Sequence, residues 1–321
     1  HIEAQTRRAG GVMYQEMCSL GYRQAIAAHK LVQDEQGRLL FFSKECFSNG
    51  CMATVDVTYP SIPLFLCYCP ELVKGMLRPI MDYAVCEAWP YEFAPHDVGR
   101  YPIADGQAYG MSLDMQMPVE ECGNMLICIA AVVKAEESVD FARPYMTLLE
   151  SWVQYLIRYG LDPENQLCTD DFAGHLSHNV NLAVKAIVGI ACYGQLCGLL
   201  GDHAEAERYQ KIAQDYAASW VQRSLRNDHT LLVFNDEAGW SLKYNLVWDQ
   251  LLSLGLFPDN LKEMEVDYYL AKKRKYGTPM DSRCNYTKAD WLLWAGCLTE
   301  DDDKFQQMIQ PLYDYLEHTP S

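Results

Sequence analysis

Two kinds of apolar pattern alternate along the chain. Asn179 to Gly201 is apolar nearly all round and rich in small residues, as a buried helix is. The next segment, Asp202 to about Arg226, carries Tyr209, Ile212, Tyr216 and Trp220 at helical spacing on one face, and opens with Asp202 and Glu205 set as a capping box. The pair predicts a helical hairpin. The same pairing recurs at Pro118–Lys134, apolar and Ala-rich, followed by Ser138–Tyr159, whose stripe of Phe141, Tyr145, Leu148, Leu149, Trp152 and Leu156 stops at Gly160. It recurs again at Ser241–Leu256 with Asp259–Lys275, and at Thr287–Leu298 with Asp301–Glu317; Thr287 and Asp290 stand at capping-box spacing. Asp56–Tyr68, disturbed by Pro60 and Pro63, precedes Glu71–Val85, and Ile2–Val32 reads as one more amphipathic helix bent at Gly10–Gly11.

In order, six amphipathic and five buried helices alternate, eleven in all. Outer and inner helices in strict alternation are the layout of an all-α (α/α)6 six-hairpin toroid occupying residues 1–321 as one domain. That ring needs twelve helices, so the expectation is that the last inner helix is missing from this chain. Inner-to-outer turns are short, whereas the outer-to-inner connections 35–55, 86–117, 160–178, 227–240 and 276–286 are long. All five must then lie on one face, and long loops on a rigid scaffold are where binding groups usually sit.

Composition narrows the ligand. A formal charge of −17 over 321 residues, with no Lys/Arg-rich run, argues against a nucleic-acid or anionic-membrane surface and leaves small molecules as the expected partners. No stretch of about 18 residues is apolar without interruption, so no membrane insertion is expected. The 13 cysteines are odd in number and mostly lie in apolar runs (Cys122, Cys128, Cys192, Cys197, Cys297), where Cys behaves as a small hydrophobe. Cys67 and Cys69 are too close for a zinc-finger pair, and no second pair matches them.

Nearly every candidate for chemistry sits on the long loops. Residues 86–117 include Trp89, His96 and Asp97 and lead to Glu120, Glu121 and Asn124, where a carboxylate either favours the helix dipole or, with a raised pKa, serves as acid or base. Residues 168–181 carry Asp170, Asp171, His175, His178, Asn179 and Asn181. Two Asp and two His could hold a metal, but their spacing matches no zinc motif, and Asp170 or Asp171 also suits a cap, so no metal or cofactor is expected. Asp249, in an apolar run with Lys243, Tyr244 and Trp248, is expected to be buried and paired with Lys243 or Arg283. Asp281, Arg283, Tyr286, Lys288 and Asp290 cluster at the next inner helix, with Asp290 read as a cap and Arg283 as a carboxylate-binding fork. The first long loop adds Lys44, Glu45, Asn49 and Asp56. With no Gly-rich phosphate cradle and no nucleophile elbow, carboxylate-driven hydrolysis is the remaining class.

Seven loop segments, FSKECFSNG, ATVDVTYP, FAPHDVGRYP, MPVEECGNM, TDDFAGHLSHN, KYNLVWD and TPMDSRCNYTKADW, starting at Phe42, Ala53, Phe93, Met117, Thr169, Lys243 and Thr278, resemble signature segments of the glutaminase A family. The resemblance spans residues 42–294. It implies the six-hairpin fold, hydrolysis of L-glutamine to glutamate and ammonia, a secreted or periplasmic location, and a longer protein in which an upstream β-rich domain precedes this one and a further helix follows it. It assigns no catalytic residue. On the residues themselves we expect proton work from Glu120, Asp170, Asp171 and Asp249. Substrate contacts are expected from Trp89, His96, Asp97, Glu121, Asn124, His175, His178, Lys243, Tyr244, Asp281, Arg283, Tyr286 and Lys288. A glycoside hydrolase is the alternative, if Trp89, Tyr91, Tyr101, Trp240 and Trp248 form open stacking platforms around two carboxylates; a binding or structural module is the third reading.

Overall fold

The computed structural model describes residues 1–45, 48–164 and 166–320. Cys46 and Phe47 of the first signature segment, and Ser321, lie outside the described residues. Among the described residues the fold is all-α apart from one β-hairpin. Eleven α-helices are found among the described residues: α1 (Ile2–Ala27), α2 (Val55–Tyr68), α3 (Pro70–Ala84), α4 (Pro118–Glu136), α5 (Met146–Tyr159), α6 (Val180–Leu199), α7 (His203–Ser224), α8 (Val247–Leu251), α9 (Asp259–Ala271), α10 (Ala289–Gly296) and α11 (Asp302–His318).

Burial separates the two layers as the periodicity predicts. Residues 118–133 of α4 are buried without exception, and α6 is buried from Val180 to Gly194, whereas α7 buries only Tyr209, Ala213, Ala217, Trp220 and Ser224. By length and composition α6 is apolar enough to cross a membrane, yet 83% of that window is buried inside the fold; it is the core helix. Small residues let α4 and α6 approach closely: a Cβ on Gly123 would stand 2.6 Å from Lys185 Cγ. The caps Asp202 and Asp301 accept from Glu205 N at 3.2 Å and Asp303 N at 2.8 Å, satisfying donors that the first helical turn leaves open.

Four expectations are corrected, where turn chemistry or a distant backbone partner competes with the helical period. The N-terminal helix stops at Ala27, and His29–Gln33 (β1) pairs antiparallel with Leu39–Ser43 (β2). The turn between them is set by Asp34, whose Oδ1 accepts from the backbone of Gln36 and Arg38, and by Gly37 at φ +79°. The expected bend at Gly10–Gly11 is present. Helix α5 starts at Met146 rather than Ser138, after a 3-10 turn at Arg143–Tyr145 that contains Pro144. The segment 241–256 is not one long helix: Leu242 N bonds to Met280 O and Ser282 N to Trp240 O, a strand-like bridge that delays helix formation until a 3-10 turn at Tyr244–Leu246 and the short α8. Finally, Lys288 and not Thr287 is the N-cap residue of α10, with no side-chain cap bond, while Asp290 Oδ1 accepts from Trp291 N at 2.9 Å within the first turn.

The twelve described cysteines are free thiols, six of them buried, while Cys297 lies at the surface rather than in the core. The long loops are laced together around the N-terminal ends of the inner helices. Cys51 bridges Arg100, Asn179 bridges Val233, Ser241 bridges Asp281, and Arg283 Nη1 donates to Gly174 O at 2.8 Å. They share one face.

Candidate functional site

The N-terminal halves of α2, α4 and α6, the Tyr244 turn and the start of α10 converge beneath these loops, and their polar side chains point at one another. Tyr59 of α2 marks the centre: its hydroxyl donates to Asn245 Oδ1 at 3.0 Å, and Lys185 Nζ of α6 lies 4.4 Å from its ring. Lys185 also donates to Glu120 Oε1, forming an ion pair with side-chain exposures of 0% and 2%. Glu120 is therefore a paired charge and not a helix cap. Asn124 Nδ2 ties the two glutamates together, donating to Glu120 Oε1 at 3.1 Å and to Glu121 Oε2 at 2.9 Å.

On one side of this pair stand Asp56, His96 and Glu121. Asp97 holds His96: its Oδ2 accepts from Nδ1 at 2.7 Å, while its Oδ1 takes the backbone N–H groups of Gly99 and Ala108 at 2.7 and 2.9 Å. Gly99 sits at φ +114°, and a Cβ there would meet Gly106 O at 2.6 Å, so the loop that aims His96 closes only with glycine. Burial alone would lower the His96 pKa, but the Asp97 hydrogen bond and the charges of Asp56 and Glu121 raise it to about 10. Burial also pushes the carboxyls of Asp56 and Glu121 up, Glu121 well above the usual range.

On the other side Asp170 accepts a hydrogen bond from Tyr244 at 2.7 Å through Oδ2, while its buried Oδ1 has no partner. Desolvation raises its pKa to about 6 against the lowering effects of Tyr244 and Lys288, with Glu120 adding to the rise. Tyr244 is itself fixed by stacking on Trp291 with ring centroids 4.1 Å apart. Lys288 Nζ lies 4.7 Å from the Trp291 ring centroid and 3.7 Å from Asp290 Oδ2. Asp171, half-buried, feels both His175 and His96 across the mouth, and burial raises its carboxyl. Asp170 does not cap the short turn that follows it; its carboxylate is spent on Tyr244.

The remaining candidates lie off this centre. Asp249 pairs with Lys262 at 3.0 Å, not with Lys243 or Arg283 as expected, and accepts from Leu256 N at 2.8 Å, tying α8 to the outer helix α9. Lys243 is fully buried, donates to Ser241 O and Oγ at 2.9 and 2.8 Å, and is pushed down to about 8 by burial. The Arg283 fork is already filled by Asp281, at 3.1 and 2.7 Å. His178 pairs with Asp162 at 2.7 Å, an anchor shared with Arg223. His175 is exposed, and Tyr286, 57% exposed, lies edge-on to Phe172 at the rim. Trp89 is buried, donating to Phe93 O at 2.8 Å within an aromatic cluster. Trp240 and Trp248 are buried as well, so the three tryptophans form no open platform for a sugar; Tyr101 alone of the five aromatics is exposed.

Sequence reasoning missed Lys185 and Tyr59 and passed over Asp56 as one loop polar among several. A lysine inside an otherwise apolar helix was the available signal for Lys185, because a buried charge requires a partner. An open cleft lies elsewhere, lined by Ala130, Val133, Gln195, Leu196 and Leu252 at the C-terminal ends of α4, α6 and α8. It is mainly aliphatic and remote from these groups.

A family model described as the glutaminase A six helical-hairpin domain matches residues 11–321. The chain belongs to that family. This glutaminase A six-hairpin domain is 37% identical over 320 residues to Glutaminase A of Aspergillus oryzae, covering 98% of this chain and 46% of the relative. It is 28% identical over 364 residues to a probable glutaminase of Arthroderma benhamiae, covering 87% of this chain and 42% of that relative. The chain thus spans about half the length of the curated relatives it matches.

Proposed function

We propose that this domain hydrolyses the side-chain amide of L-glutamine at the mouth of the inner helices, with Asp170 as the proton-transfer group. One observation carries the assignment to Asp170: a buried carboxylate with pKa about 6, one oxygen held by Tyr244 and the other without a partner. A base poised near the working pH is what water activation requires. The partnerless Oδ1 takes a proton from water as its oxygen attacks the amide carbon; the same proton then passes to the departing nitrogen, which leaves as ammonia. Lys288 supplies a cation for the substrate α-carboxylate, and Asp171 an anion for its α-amino group. The names of both relatives support the amide as the bond broken.

Ammonia release from L-glutamine, measured beside release of reducing sugar from a glycan panel, tests this reading. Ammonia from the unmodified protein, lost in Asp170→Asn with the fold retained, is expected. No ammonia from the unmodified protein, or undiminished turnover in Asp170→Asn, overturns it.

A further inference from the structure

Asp56, His96 and Glu121 each present one donor atom, and these three atoms all lie within 4.8 Å of one another. They come from α2, from the second long loop and from α4, so no sequence spacing announces them. Three features together indicate that something other than protein belongs between them.

The first is the state of the imidazole. Its Nδ1 is engaged by Asp97 at 2.7 Å, which leaves Nε2 facing the two carboxylates. Asp56 Oδ1 stands 3.6 Å from Nε2, beyond hydrogen-bond reach, so this nitrogen donates to neither oxygen. The second is a pair of orphaned acceptors: Asp56 Oδ1 and Glu121 Oε1 are buried without a partner, and the whole Glu121 residue is 0% exposed. Asn124 Oδ1, on a residue also 0% exposed, is a third acceptor left open beside Glu121. In folded proteins buried acceptors are as a rule satisfied, because an unpaired one costs about 1–3 kcal/mol. The third is the support behind the histidine. A carboxylate on the far nitrogen, itself fixed by two backbone N–H groups, is the arrangement that orients a metal-bound imidazole.

We propose that Asp56, His96 and Glu121 bind one divalent first-row transition ion, Zn²⁺ or Mn²⁺, with Asp97 as the orienting partner of His96. One imidazole nitrogen and two carboxylate oxygens suit such an ion better than the all-oxygen shell that Ca²⁺ prefers. Bonds of about 2.0–2.2 Å around a tetrahedral ion place donors roughly 3.3–3.6 Å apart, so the 3.6 Å His96–Asp56 separation already fits, and the separations to Glu121, within 4.8 Å, close by about 1 Å as the carboxylate turns onto the ion. A second grouping, Cys51 with His96 and Asp97, is less apt because both Asp97 oxygens are already committed. The His96 and Asp56 side chains are 8% and 14% exposed, so the site keeps a narrow contact with solvent. The inference does not depend on the glutaminase reading, since the ion is counted without turnover.

The test is direct titration of the EDTA-dialysed protein with ZnCl₂ and, separately, MnCl₂, followed by calorimetry, elemental analysis and thermal melting. The expected result is one ion per chain and a melting temperature that climbs with the logarithm of ion concentration. Asp56→Asn and Glu121→Gln, near-isosteric and each removing one ligand charge, abolish both signals, and Asp97→Asn weakens binding 10- to 100-fold. His175→Ala, exposed on the rim, leaves them unchanged. Less than about a tenth of an ion per chain in the unmodified protein overturns the proposal. So does stoichiometric binding that survives both Asp56→Asn and Glu121→Gln.

Discussion

Replacing Lys185 by methionine tests the arrangement at the centre of the domain. Lys185 and Glu120 have side-chain exposures of 0% and 2%, so the shorter, uncharged side chain of Lys185→Met would occupy the lysine channel while leaving Glu120 buried and unpaired. Stranding one member of a buried ion pair costs about 3–5 kcal/mol. For 321 residues, with an unfolding entropy of about 2.1 cal/mol/K per residue, the entropy at the midpoint is about 0.7 kcal/mol/K, and Lys185→Met lowers Tm by about 4–7 °C. Removing the stranded charge relieves the penalty: in Lys185→Met/Glu120→Gln the amide keeps an acceptor for Asn124 Nδ2, and at least half of the lost stability returns. Calorimetry of the two single variants and the double variant completes the cycle. A loss below about 1 kcal/mol for Lys185→Met, or a double variant no more stable than Lys185→Met, would refute the claim that Glu120 is the buried ion-pair partner of Lys185.

Four further outcomes follow from the site. Asp170→Asn lowers kcat/KM on L-glutamine by about 10²- to 10⁴-fold while circular dichroism stays native, the range expected for losing a general base. Because Asp170 titrates at about 6, activity rises with pH through that region, and Tyr244→Phe, which removes a hydrogen bond that lowers this pKa, moves the limb to higher pH in a kcat/KM profile. The same carboxyl binds its proton more tightly folded than unfolded, so its contribution to stability is complete below about pH 4 and is lost as pH rises through 6; Asp170→Asn flattens that part of the Tm–pH curve. Asp249→Asn strands Lys262 and lowers stability by about 3 kcal/mol or more, yet leaves kcat within a few-fold, which separates this buried pair from the catalytic centre.

Helix number, layer order and the face that carries the long loops were legible in the chain because each rests on local rules. Residues three and four apart share a helix face, and a connection between layers must emerge at a helix end, so alternating periodicities with unequal loops imply two layers and one elaborated rim. Local rules failed where backbone groups found partners far away in sequence. Trp240 and Leu242 bond to residues 280–282, and this dissolved the helix expected from Ser241. The candidates divided in the same way. Their residue types and loops were readable, but Asp249 could be separated from Asp170 only by seeing that one carboxylate meets an ammonium at 3.0 Å and the other keeps an oxygen with no partner. Lys185 and Asp56 became site residues only when α2, α4 and α6 brought their N-terminal halves together. Periodicity determines which side of a helix is buried; it says nothing about which charges meet across the ring, because that depends on the rotation and approach of helices tens of residues apart.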